Sequence, residues 1–234
     1  MKYDIPDITL VPGGHLPPLD EINGFQVRPG FFQFPGTTLL PGGVSFTVQS
    51  HGATSCELLL FHREAEEPFA VLPFPETYRI GFVYSMIVFG LDIEEFEYAY
   101  RLDGPYDEKK GLRFDRTKIL LDPYARAVTG QSRWGCKNNP AHGYRARVVR
   151  NNFDWGLESQ PRLPMEDMII YELHVRGFTR DDSSQSAHPG TFLGLEEKIP
   201  YLKELGVNAV ELMPIFEFDE MRDCRMVGQG ERLD

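Results

Sequence analysis

Between Phe31 and about Asp115 the chain alternates apolar and polar positions in short runs. Val44, Phe46 and Val48 alternate with Ser45, Thr47 and Gln49, the period of two expected of a strand with one face buried. Apolar runs at Cys56 to Phe61, Phe69 to Phe74, Gly81 to Val88 and Phe96 to Leu102 predict further strands. Pro41-Gly42-Gly43, His51-Gly52 and the acidic stretch from Arg63 to Pro68 separate them, as turn chemistry requires. Strands this short and this regularly spaced predict two antiparallel sheets packed face to face, a β-sandwich.

From about Arg116 to Pro164 the rhythm fails. Pro123, Gly130, Gly135, Asn138-Asn139-Pro140, His142-Gly143, Asn151-Asn152 and Pro161 succeed one another, which predicts a long connector. Trp134 and Trp155 read as buried anchors within it, since large indoles favour burial. After Pro164 the pattern becomes strand, helix, strand. Met168 to Val175 predicts a strand; Leu195, Ile199, Leu202 and Leu205 set a helical spacing over Gly194 to Leu205; Val207 to Met213 predicts a second strand. Gly206 suits the left-handed position that ends a helix. This order predicts a right-handed βαβ unit with parallel strands. Only 67 residues run from Met168 to Asp234, whereas an alternating barrel takes about 250. Ile169, Tyr171, Val210 and Leu212, apolar for burial on both faces of a parallel sheet, are therefore expected to be exposed.

Composition narrows the function. With 24 Lys plus Arg against 35 Asp plus Glu the formal charge is −11, and no basic cluster suits a phosphate backbone, so no nucleic-acid partner is expected. Hydrophobic residues at 41% argue against disorder. Cys56, Cys136 and Cys224 are odd in number and widely separated; no disulfide framework or zinc site is indicated. The N-terminus lacks the apolar stretch of a secretion signal, and the most apolar window, Phe82 to Leu91, is too short to span a bilayer. A cytoplasmic chain with no membrane partner is expected.

Searches for chemistry are mostly negative. Gly228-Gln229-Gly230 opens a dinucleotide fingerprint but is completed by Leu233, and no phosphate loop, GxSxG turn, HExxH helix or calcium loop is present. Carboxylates remain, the groups of sugar hydrolysis, where one acid protonates the leaving oxygen and a second attacks or stabilises the cationic centre. Glu211 lies on the second predicted strand, and Glu217, Asp219 and Glu220 lie in the loop after it, the side on which α/β barrels carry their sites. The plainer account is that Glu211 binds backbone or an arginine while the loop acids are solvated. On the first strand Glu172, His174 and Arg176 share one face by period two; an ion pair from Glu172 to Arg176 accounts for them, with a catalytic His174 as the sharper alternative.

The runs Tyr171 to Thr179, His188 to Phe192 and Ile199 to Pro214 resemble the start of the α-amylase-type barrel. Arg101-Leu102-Asp103-Gly104-Pro105, Leu120 to Ala125 and Phe153-Asp154-Trp155 resemble glycogen debranching enzymes of the isoamylase/pullulanase type, in glycoside hydrolase family thirteen. The resemblance covers about Gly24 to Met221. It implies an immunoglobulin-like, glucan-associated β-sandwich over residues 1–115, a connector over 116–164, and over 165–234 the first βαβ unit of an incomplete (β/α)8 barrel. It implies an α-glucan partner, such as glycogen or branched maltodextrin, and hydrolysis of α-1,6 branch linkages with retention and without a cofactor. In that family the nucleophilic Asp, the proton-donor Glu and the stabilising Asp come from later barrel strands. No catalytic, cofactor or metal residue is therefore assigned, and the chain alone is expected to be an inactive N-terminal fragment. A branching-enzyme fragment and a stand-alone glucan-binding or regulatory module are the alternatives, and at Trp155 a carbohydrate platform is the alternative to a packing anchor between connector and barrel.

Overall fold

The computed structural model describes residues 16–130, 143–150, 152–156 and 161–216. The chain divides between Asn152 and Phe153 into two compact units.

The first unit is built from β1 (Asp20–Ile22), β2 (Phe25–Pro29), β3 (Gly36–Leu40), β4 (Gly43–Gln49), β5 (Ser55–His62), β6 (Ala70–Pro73), β7 (Arg79–Ile80), β8 (Val83–Phe89) and β9 (Phe96–Asp103). The small hairpin β10 (Tyr106–Asp107) and β11 (Leu112–Arg113) follows, then β12 (Ala127–Thr129) and β13 (Arg145–Arg147). One antiparallel sheet runs β1-β2-β8-β4-β3 with β7 on β8, the other β12-β13-β9-β5-β6. Val44, Phe46 and Val48 enter the core with Leu58, Leu60, Met86, Val88, Tyr98 and Tyr100, as the alternation of apolar positions predicts.

The opposite face of β4 is buried as well. Ser45 Oγ accepts from the Phe31 amide at 3.1 Å, Thr47 Oγ1 donates to the Phe31 carbonyl at 3.2 Å, and Thr47 and Ser85 hydroxyls lie 2.6 Å apart. Hydroxyls on that face hold the segment after β2 against the sheet. A β-carbon on Gly30 would fall on the Ser85 and Ser45 hydroxyls, so only glycine permits this approach.

The described part of 116–150, within the expected connector, adds strand pairing to the sandwich. Leu120 bridges Tyr100 through reciprocal backbone bonds of 2.8 and 2.9 Å, and β13 joins β9 through Ala146 and Tyr98. Asp122 is buried and accepts from the Tyr98 hydroxyl at 2.7 Å and the Tyr124 amide at 2.8 Å. Arg145, also buried, sets its guanidinium 3.6 Å from the Phe61 ring centroid and donates to the carbonyls of Ala65 and Glu66. Single polar anchors of this kind have no period for a pattern search to find.

The second unit contains β14 (Ile170–Leu173), α1 (Val175–Thr179), α2 (Phe192–Glu197), α3 (Ile199–Glu204) and β15 (Ala209–Leu212). The two strands are parallel, with Glu172 beside Glu211 and Leu173 beside Leu212. Asn208 fixes their entry: its Oδ1 accepts from the Ile169 amide at 2.8 Å and its Nδ2 donates to Asp167 O at 2.9 Å. The expected single helix is two, because Pro200 sits in the first turn of α3, where its missing N–H is harmless but where a continuous helix would need it. At the end of α3 Gly206 adopts φ +84. Its amide donates to Lys203 O and the Val207 amide to Leu202 O, both at 3.0 Å, the paired bonds of a Schellman ending.

Candidate functional site

The two strands of the second unit carry Glu172 and Glu211, the strand acids singled out from the sequence. Leu173 is buried and Leu212 beside it is half-buried, so that face of the strand pair is the covered one. By period two Glu172 and Glu211 project from the other face, side by side in register and exposed. Adjacent parallel strands lie about 4.8 Å apart, and both acids stand on one wall. Ile169, Tyr171 and Val210 are exposed, while Leu212 is half-buried.

His174 does not continue the strand face with Glu172 and Arg176. It ends β14 and caps α1, its Nδ1 accepting from the Gly177 amide at 3.0 Å. Arg176 lies in that helix, so the two-residue period that grouped the three side chains stops at Leu173. An imidazole in the capping role holds its proton on Nε2, leaving a donor at the strand end, and no nucleophile is bonded to it among the described residues. Glu217, Asp219, Glu220 and Gly228-Gln229-Gly230 lie outside the described residues, as do Trp134, Cys136 and Cys224.

Glu197 organises the loop between α1 and α2. Its carboxylate accepts from Ser186 Oγ at 2.6 Å, the Ala187 amide at 3.0 Å and His188 Nδ1 at 2.9 Å. The bond to His188, then that to Ser186, holds its pKa below the ordinary value. Gly194, in the first turn of α2, lies so close to the His188 carbonyl that no β-carbon fits. Nothing in the residue pattern singled out this clasp, because Glu197 reads as one more polar position on a helix.

Trp155 departs from its expected burial. Its side chain is 74% exposed and that of Phe153 is 72% exposed; the rings meet edge to face at 4.8 Å and 70°. Asp154 Oδ1 accepts from the Gly156 amide at 2.8 Å, and Gly156 takes φ +59, so a tight turn displays both rings. Spacing of i and i+2 about an Asx turn is the sequence signal that could have shown this.

On the sandwich Phe69, 40% exposed, stacks on His62 at 4.4 Å and 25° and lies 6.4 Å from Phe25. Cys56 is buried, and burial, then nearby Glu57, pushes its thiol pKa well up. Among the described residues no group of three or more His, Cys, Asp or Glu could hold a metal ion. No described helix is long and apolar enough to cross a membrane.

The described residues thus form an antiparallel β-sandwich and, in a second unit, a parallel strand pair with helices between its strands. Residues 35–125 match carbohydrate-binding module 48, the isoamylase N-terminal domain, and the chain corresponds to the N-terminal portion of debranching enzymes of the isoamylase type. It is 39% identical over 195 residues to chloroplastic isoamylase 1 of Oryza sativa subsp. japonica, covering 80% of this chain and 24% of that protein. It is 33% identical over 205 residues to a glycogen debranching enzyme of Yersinia enterocolitica, covering 79% and 29%. The chain thus spans about a quarter of the length of the curated relatives it matches. The fold also matches a pullulanase from Paenibacillus barengoltzii, solved with maltohexaose and α-cyclodextrin, at a TM-score of 0.65 and 22% identity over 82% of this chain and 29% of that one.

Proposed function

We propose that this chain is the front part of a cytoplasmic glycoside hydrolase that removes α-1,6 branches from glycogen or related α-glucans, and that its own contribution is to bind glucan. In this reading residues 1–115, with the strands recruited from 116–164, form the glucan-associated module, and 165–234 open the barrel. The observation that carries it is the succession in one chain of the isoamylase N-terminal match and a parallel strand pair, in a chain 39% identical over 195 residues to a chloroplastic isoamylase. Phe69, backed by His62, offers a supported ring of the kind that packs on the C–H face of a sugar.

The chain by itself hydrolyses no glucan in this account. Glycoside hydrolysis needs two carboxyl groups on opposite sides of the scissile bond, about 5 to 5.5 Å apart for retention, whereas Glu172 and Glu211 share one wall. Purified chain should retard in glycogen affinity electrophoresis yet release no reducing ends from glycogen or pullulan. Release that disappears in Glu211→Gln would place a catalytic carboxylate in this chain and overturn the inactive-fragment reading. Absence of any retardation would overturn glucan binding.

A further inference from the structure

We propose that Phe153 and Trp155 form a second glucan subsite, outside the sandwich, that grips one turn of an α-1,4-linked chain. The inference rests on the glucan-binding reading above and adds to it a place and a shape preference.

Four observations converge on these residues. Both rings are more than two-thirds exposed, at 72% and 74%, although a Trp side chain normally seeks burial. The rings are held, because they touch at 4.8 Å and the turn between them is closed by the bond from the Gly156 amide to Asp154. Their planes meet at 70°, so they form a corner instead of a flat wall. Asp154, exposed between them, uses Oδ1 for the turn, and its Oδ2 takes part in no bond among the described residues.

That set matches the chemistry of a glucose unit. An indole face takes the apolar C–H face of a pyranose, the neighbouring ring bounds its edge, and a carboxylate oxygen accepts from a hydroxyl. A corner also selects between chains. An α-1,4-linked glucan curls, so successive units can follow two planes set at an angle. A β-1,4-linked glucan is a flat ribbon and would meet only one of the rings. Rings already ordered lose little conformational freedom on binding, which favours a small site.

The chain contains two tryptophans, so Trp134→Phe leaves Trp155 as the only indole reporter. In that variant maltoheptaose should shift Trp155 emission saturably and shield it from acrylamide, and cellohexaose should do neither. By calorimetry on the otherwise unaltered chain, Trp155→Ala should weaken maltoheptaose binding roughly tenfold, about what one stacked ring contributes, with Trp155→Phe restoring part of it. Trp155 emission that is blue and acrylamide-insensitive before any sugar is added would overturn the subsite by showing the ring buried. So would maltoheptaose binding that leaves Trp155 emission unmoved, is unchanged in Trp155→Ala and is lost in Phe69→Ala; glucan binding by the sandwich would then stand alone. No calorimetric binding of maltoheptaose by the unaltered chain would overturn both readings together.

Discussion

In the sandwich, Val27, Phe46, Leu58, Leu60, Met86, Val88 and Tyr98 are sealed between two sheets, whereas in the βαβ unit Leu173 and Leu202 are the buried apolar side chains among the described residues. The compositions of the two regions do not explain this, since both are rich in Leu, Ile, Val and aromatics. Topology does. An antiparallel sandwich presents one apolar face per sheet and satisfies both by pressing them together. A parallel pair presents apolar residues on both faces and needs helices on one side and further strands on the other. Ile169, Ile170, Tyr171, Val210 and Met213 therefore remain exposed in the second unit, although the local structure is fully formed.

This contrast can be broken by substitution. The largest effect is expected in the closed core: Phe46→Ala removes a ring packed 5.2 Å from Tyr98 and should destabilise the sandwich by about 3–5 kcal/mol. Urea unfolding should then show the sandwich transition moving while a second, earlier transition stays in place. Coincident movement of every probe would mean that the two units unfold as one. Gly206→Ala should act in the other unit only, costing about 1–2 kcal/mol because a side chain at φ +84 is forced into the left-handed region. Far-UV loss confined to the earlier transition would show it.

A smaller effect depends on pH. Burial raises the pKa of Asp122 above its ordinary value, against the opposing bonds from the Tyr124 amide and the Tyr98 hydroxyl. The folded state therefore favours the protonated acid. Its contribution is fully present below the ordinary carboxylate pKa and is lost as pH rises through the raised folded value. The urea midpoint of the sandwich, measured against Asp122→Asn, should fall relative to the variant across that interval and then level off. A rise instead would mean that the bonds to the carboxylate outweigh its burial. The smallest effect is expected at Trp155: with its side chain exposed, Trp155→Ala should change stability by no more than about 0.5 kcal/mol. A loss of several kcal/mol would return Trp155 to the role of a buried anchor.

What could be read from the residues follows from what has a period. The alternation from Val44 to Val48 placed β4 and its core face, and Gly206 marked the end of α3 with the expected φ. Other features resting on one residue went unseen. Pro200 divided a helix that the spacing of Leu195, Ile199 and Leu202 made continuous. His174 turned a strand into a helix cap. Ser45 and Thr47, polar and so expected to face solvent, are buried because the segment after β2 lies over them. The candidate site was legible only as far as its acids: Glu172 and Glu211 could be placed on strands, but their pairing in register needed the parallel topology. Trp155 misled because residue type predicts average burial, while the Asx turn at Asp154 decides the individual case.

The bond from Arg145 to the Ala65 carbonyl joins residues 80 positions apart. On a ribosome the chain emerges from its N-terminus, so strands through β9 are free before the residue that fastens their outer wall exists. At about 5–20 residues per second, Arg145 is made roughly 4–16 s after Ala65. During that interval the loop from Ala65 to Glu66 has no guanidinium to hold it, and Phe61 has no cation above its ring. The sandwich is thus completed from behind, and a nascent chain arrested before Arg145 would carry a nearly whole but unfastened sheet.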